Sequence, residues 1–165
     1  MENSLDKKEP LEYLGTSNLM NLPFNWSAGP YLGRWLIELR DNGKLWASRC
    51  PKCQRLLLPP RIICGICCVR APEWPDWVEL SGKGKLVAWE RIEAPQMNPS
   101  TGKIEPEPYI HGNILLDEGV TFQHYLEEQD VTKLAEGARV EIALKPKQER
   151  KGLVTDILYF RLVKE

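Results

Sequence analysis

Four cysteines stand in two pairs, Cys50/Cys53 and Cys64/Cys67, in the run CPKCQRLLLPPRIICGIC. The spacing, C-x2-C-x10-C-x2-C, lets each turn present two thiolates to one ion, and two such knuckles complete the tetrahedral four-sulfur shell that zinc favours. The competing reading is a set of unrelated buried thiols, and the clustering of all five cysteines between positions 50 and 68 argues against it. Cys68 would make an asymmetric C-x3-C knuckle if it replaced Cys67, so it is read as a spare thiol. As a nucleophile it would need an activating base, and none is identifiable nearby in the sequence. Iron takes the same ligand set in a rubredoxin-like centre, which leaves iron open on spacing alone. Zinc is expected because nothing else in the chain points to electron transfer. Four protein ligands leave no position for substrate or water, so the ion would be structural and would fold a module too small for its own core.

The elements that hold this cluster follow from periodicity and punctuation. The spacing predicts a helix over 31–41, where Leu32, Trp35, Leu36 and Leu39 form one apolar stripe between Pro30 and Asn42-Gly43. Before it, residues 1–30 read as an irregular arm. Leu19, Met20, Leu22, Phe24 and Trp26 make that arm apolar enough to pack on its own domain or on another chain. After the cysteines come EWPDWVEL and the turn SGKGK, then five strand signals: GKLVAWERIEA, YIHGNILL, VTFQHYLEE, ARVEIALK and LVTDILYFRLV. The stretch 95–108, with Pro95, Pro99, Pro106 and Pro108, is expected to be a loop. VTKLAEG reads as a short helical turn between the third and fourth strands, and KPKQERKG as a loop before the fifth.

Five strands with a helical element between the third and fourth is the order of an OB barrel. The expected fold is therefore mainly β: an N-terminal helical arm (1–43), a rubredoxin-like zinc ribbon (44–72) and a C-terminal five-stranded OB-fold barrel (73–165). The chain has 165 residues, a net charge of −1 and 42% apolar residues, which suits a globular protein and gives no basic excess for nucleic acid. No apolar run nears the roughly 20 residues of a membrane span. The polar start, MENSLDKKEP, lacks a signal-peptide core, so a cytoplasmic location is expected.

The run GKLWASRCPKCQRLLLPPRIICGIC, followed by Trp74, Trp77, Val78, Glu79, Leu80 and SGKGKLVAW, resembles the zinc-ribbon plus OB-fold proteins that partner thiolases, a family long catalogued as a domain of unknown function. The resemblance covers about residues 31–165 and includes the Pro59-Pro60-Arg61 turn and the final YFRLV strand. It implies a complex with a thiolase-fold enzyme acting on acyl-CoA, in which the partner carries the catalytic cysteine and histidines. The ribbon/OB chain shapes the complex and helps hold the CoA ester. Among the family's settings, the expectation drawn is thiolysis of (S)-2-benzoylsuccinyl-CoA to benzoyl-CoA and succinyl-CoA in anaerobic toluene degradation. A heterotetramer with two copies of each chain is expected, since symmetric assemblies dominate. The chain's own residues agree with an accessory role. With four cysteines assigned to metal, only His111 and His124 remain as bases, both in strand patterns.

If CoA touches this chain, its phosphates call for Arg and Lys. Arg61 in the PPR turn is one candidate. Lys145, Lys147, Arg150 and Lys151, in the loop between the last two strands, are the others, because OB barrels often bind ligands there. A solvated hairpin of ordinary surface lysines is the plain alternative. The runner-up function is a zinc-ribbon/OB nucleic-acid-binding module, with Trp89, Tyr109, Phe122 and Tyr125 as stacking platforms. The near-neutral charge opposes it.

Overall fold

A computed structural model describes residues 27–93, 96–97, 104–105 and 108–163. The apolar arm residues Leu19 to Trp26 lie outside the described residues. Helix α1 runs Gly29–Asn42 with Pro30 in its first turn, and Gly43 closes it in the left-handed region (φ 65°). The Gly43 N–H donates to Leu39 O at 3.1 Å and the Lys44 N–H to Glu38 O at 3.4 Å, a terminus that satisfies two orphan carbonyls. The buried face carries Tyr31, Trp35, Glu38 and Leu39, while Leu32 and Leu36 of the expected stripe are only partly buried against the core. Glu38 can sit inside because Arg34 pairs with it and Asn42 Nδ2 donates to it at 2.8 Å. Arg34 also lies over the Trp74 ring at 4.4 Å.

Strands β1 (Leu45–Arg49), β2 (Leu56–Leu57) and β3 (Val78–Leu80) form a small sheet in the order β2-β1-β3. β1 pairs with β3 from Leu45↔Leu80 to Ala47↔Val78, so the segment leading into the barrel is also an edge of the ribbon sheet. An aromatic cluster ties helix, ribbon and this segment together. Trp74 meets Trp46 edge-on at 4.9 Å and Trp77 at 5.6 Å, and Tyr31 packs on Trp77 at 5.6 Å. The Tyr31 hydroxyl donates to Ala71 O at 2.8 Å, which fixes the start of the helix to the end of the cysteine segment.

The barrel is built from β4 (Lys83–Ile92), β7 (Tyr109–Leu116), β8 (Thr121–Tyr125), β9 (Arg139–Leu144) and β10 (Ile157–Leu162). Strand β4 pairs with both β7 and β9, and Gly84 stands where it does so, opposite Leu116 and Val140. A Cβ at Gly84 would fall 2.4 Å from Leu115 O, which is backbone and cannot move aside, so only glycine lets the strands approach there. The parallel bridge Leu126↔Phe160, with Glu127 N–H donating to Phe160 O at 2.9 Å, closes β8 onto β10. The circuit β4-β7-β8-β10-β9 is that of the OB fold. Alternation in β7 puts Ile110, Ile114 and Leu116 inside with Leu86, Val140 and Phe160. Each such side chain, fully buried, stabilises by about 2 kcal/mol.

The structure corrects two expectations. The stretch 95–108 is not a plain loop: β5 (Gln96–Met97) and β6 (Ile104–Glu105) pair as a two-rung ladder, on residues that keep their N–H groups between the prolines. The fifth strand begins at Ile157, not at Leu153. Val154–Asp156 is a 3-10 turn, because the Asp156 carboxylate folds the preceding backbone around itself. The helical turn before β9 is a 3-10 turn, Val131–Lys133, capped by Asp130.

Candidate metal centre and basic loop

Each cysteine pair sits in the same tight turn. In the first, Gln54 N–H donates to Cys50 O at 2.9 Å and Cys50 N–H to Arg55 O at 2.9 Å. In the second, Cys68 N–H donates to Cys64 O at 2.9 Å and Cys64 N–H to Val69 O at 3.0 Å. The two turns bring Cys50, Cys53, Cys64 and Cys67 together with every Sγ within 4.8 Å of the others. Tetrahedral zinc with Zn–S bonds of about 2.3 Å requires sulfurs about 3.8 Å apart. The Cys53 and Cys64 Sγ atoms are 3.9 Å apart. The donor set and its spacing therefore fit zinc. Cys68 is exposed and outside the cluster.

Two of the four thiols, Cys64 and Cys67, have shifted pKa values. N–H groups of Cys67 and Ile66 stabilise a thiolate at Cys64 and hold its pKa down at about 6. Cys67 is pushed up to about 12, first by its hydrogen bond with Cys53 and then by burial. The neighbouring thiols thus oppose ionisation at Cys67, and a divalent cation would relieve that opposition. Cys50 and Cys64 are fully buried, Cys53 is exposed and Cys67 lies between, so the cluster is buried on one pair and reaches solvent at Cys53.

A ChsH2 family model for a rubredoxin-like zinc ribbon domain matches residues 38–73, and a second, for the ChsH2 C-terminal OB-fold domain, matches residues 77–145. The two matches follow one another along the chain. Among solved structures it is similar to the one titled "Ltp2-ChsH2(DUF35) aldolase", with 22% identity and a TM-score of 0.55, over 84% of this chain and 96% of that one. It is also similar to a DUF35-family protein of unknown function from Sulfolobus solfataricus, with 19% identity and a TM-score of 0.54, over 82% and 87% of the two chains. At these identities the likeness concerns the fold.

The candidate anion residues fall in two places. Arg61 is exposed in the ribbon, its N–H donating to Ser48 Oγ at 3.3 Å. Lys145, Lys147, Arg150 and Lys151 share the loop between β9 and β10, which leans on α1. Arg150 Nε donates to Lys145 O at 2.7 Å, and its guanidinium lies against Gly43 at the end of the helix. Lys147 is exposed and within the field of Asp41, whose carboxyl is held low chiefly by its hydrogen bond to Arg40.

Asp156, which sequence reasoning missed, is the anchor of this loop. It is fully buried and accepts N–H bonds from Lys151 (2.9 Å), Gly152 (2.7 Å) and Leu153 (3.1 Å). Burial pushes its pKa up, but the N–H bonds and the Lys145 charge outweigh burial and leave it below the ordinary carboxylate value. The sequence signal was an acidic residue inside an otherwise apolar strand pattern.

Of the expected stacking residues, Tyr109 and Tyr125 meet at 4.7 Å on the outer face of the sheet, with His111 beside Tyr125 at 5.4 Å. Phe122 instead packs on Phe160 at 5.9 Å, and Trp89 packs against the core. His124 is buried, with Nδ1 unpartnered. Among the described residues no helix is long and apolar enough to cross a membrane.

Proposed function

We propose that this chain is a non-catalytic, zinc-bearing subunit of an acyl-CoA-processing complex whose catalytic residues lie on a thiolase-type partner. Cys50, Cys53, Cys64 and Cys67 hold the zinc, which fixes the ribbon and does no chemistry. The observation that carries the reading is the tandem of a ChsH2-type ribbon and a ChsH2-type OB domain, together with a structural neighbour whose title pairs such a chain with an aldolase. The tetrad supports it further: four sulfurs on one ion leave no site for substrate.

The CoA ester of the complex meets this chain at cationic side chains, with Arg61, Lys145, Lys147 and Arg150 as the candidates. Arg61 and Lys147 are exposed, whereas Arg150 donates from Nε to Lys145 O and its guanidinium lies near Gly43. The specific reaction we favour is thiolysis of (S)-2-benzoylsuccinyl-CoA, in an assembly with two copies of each chain.

The test is to recover the tagged chain from its native host, identify what comes with it, and assay C–C cleavage of acyl-CoA substrates on the eluate. A thiolase-fold chain that is active only when this subunit is present supports the proposal. Recovery of nucleic acid in place of such a chain refutes it and favours a binding module.

A further inference from the structure

The ribbon is the basic part of a chain that is otherwise acidic. No Asp or Glu lies between 44 and 72, while Lys44, Arg49, Lys52, Arg55, Arg61 and Arg70 do. Lys44 is paired with Glu79 and Arg70 with Glu73, both carboxylates coming from the segment after the ribbon. Lys52, Arg55 and Arg61 are exposed and have no ion-pair partner among the described residues. A zinc tetrathiolate carries about two net negative charges, fewer than these six cations supply.

The same tip exposes three branched aliphatic side chains within five residues. Ile62 is 41%, Ile63 55% and Ile66 63% exposed. They lie on one hairpin, in which Ala71 N–H donates to Ile62 O at 2.9 Å and Ile63 bridges to Arg70. The turn symmetry places Ile66 in the second knuckle where Lys52 stands in the first, two residues after the leading cysteine, and both side chains are exposed. Single exposed apolar residues are ordinary, but three adjacent ones flanked by unpaired cations have the anatomy of an interface, with an apolar centre and a polar rim.

We infer that the ribbon tip is the docking surface for the catalytic subunit, and that the matching surface there is an apolar socket rimmed by carboxylates. The inference rests on the proposed accessory role and assigns that role a place on this chain. A ribbon-to-ribbon contact with a second copy would set like charges face to face, which an isologous interface cannot escape. A nucleic acid would use the cations but not the isoleucines. The ribbon's aromatic ring, Trp46, is partly buried, in edge-on contact with Trp74 at 4.9 Å and with Lys44 Nζ 6.0 Å from its centre, so it is not a freely exposed stacking platform.

The experiment uses the full-length chain and the purified thiolase-fold subunit recovered with it, and measures their association on a sensor surface at several salt concentrations. The double variant Ile63→Asp/Ile66→Asp is expected to weaken binding about 100-fold, the scale of two centrally placed anchors. Its zinc content and circular dichroism should match wild type. The pair Lys52→Glu/Arg55→Glu is expected to slow association about tenfold and to flatten its salt dependence. Wild-type binding by the aspartate variant overturns the inference. If that variant loses zinc, the charge pair decides, and an unchanged salt dependence overturns it. Binding of a labelled single-stranded oligonucleotide that the charge pair abolishes, without effect on the subunit, also overturns it. Failure of wild type to recover any thiolase-fold chain removes the accessory role itself. Assembly that survives the substitutions removes only the docking surface.

Discussion

Gln54 and Cys68 occupy the same place in two copies of one turn. Both have left-handed backbone, φ 58° and 54°, and each donates its N–H at 2.9 Å to the carbonyl of the leading cysteine of its pair. The position closes the knuckle and turns its side chain away from the cluster. Cys68 is thus a turn residue that happens to be cysteine. Cys68→Asn should keep the full zinc complement, since Asn accepts positive φ. Cys67→Ser should lose zinc. Cys68→Val should keep zinc but cost about 1–2 kcal/mol, because a β-branched side chain resists this conformation. Colorimetric zinc determination after gel filtration, with thermal melts, separates the three. Zinc loss in Cys68→Asn would return that thiol to the ligand set.

Metal removal should act on the ribbon first. Trp46 lies on β1, and Trp74 and Trp77 lie on the segment that pairs with it, so three of the tryptophans report on this module. Exhaustive chelation at neutral pH should shift tryptophan emission to the red as this cluster opens. The strand signal of the barrel should persist, since its core of Leu86, Ile114, Val140 and Phe160 does not depend on the ion. An unchanged emission spectrum in metal-free protein would show that the ribbon folds without zinc.

The cysteine pattern was legible because ligand spacing is a local property, and helix α1 because its stripe repeats within eleven residues. The barrel order was legible from alternation, as in Ile110, Ile114 and Leu116. What escaped depends on partners distant in sequence. β3 reads as barrel sequence, but its ladder partner is β1, more than 30 residues earlier. Asp156 looks like a strand residue until its buried carboxylate is seen to collect three backbone N–H groups. Arg150 reads as a free cation on a loop, yet its Nε is bonded to Lys145 O and its guanidinium lies near the end of α1.

Asp156 should therefore matter more than any lysine of its loop. Asp156→Asn leaves one acceptor oxygen for several donors and should cost about 2 kcal/mol, the scale of hydrogen bonds to a buried charged group. The sign of its pH effect follows from its lowered pKa. The stability it contributes is present above the unfolded carboxylate value of about 3.9 and is lost as pH falls through the lower folded value. Urea midpoints at pH 7 and pH 3 should show wild type and Asp156→Asn converging at the acid end. A constant gap would sink the argument.

His124 gives a second, separate acid sensitivity. Burial, with a smaller contribution from the charge of His111, lowers its pKa from 6.5 to about 4. It stacks on Phe122 at 5.9 Å and has no partner for Nδ1. The unfolded chain binds a proton near pH 6.5 while the folded one refuses it until about pH 4. Stability is thus full above 6.5, falls between 6.5 and 4, and is flat below as far as this group is concerned. The whole loss is about 3 kcal/mol at most. His124→Phe should remove this segment of the stability profile, measured by urea unfolding at half-unit pH steps. An unaltered slope in the variant would assign the acid sensitivity elsewhere.

The contact between Arg150 and Gly43 offers a double-mutant test of how the loop is held to the helix. A Cβ on Gly43 would stand 2.5 Å from Arg150 Nη1, and the position also has φ 65°. Two costs are therefore superposed in Gly43→Ala. The first is the left-handed backbone, about 1 kcal/mol for a residue with a Cβ. The second is displacement of the guanidinium, which would loosen its bond to Lys145 O. Arg150→Ala removes the second cost and leaves the first. Gly43→Ala should then destabilise wild type by about 2 kcal/mol and the Arg150→Ala background by only about half of that, a coupling readable in a cycle of urea midpoints. If the two substitutions add without coupling, the guanidinium does not rest on the helix end. In that case only the bond from Arg150 Nε to Lys145 O would hold the side chain in place.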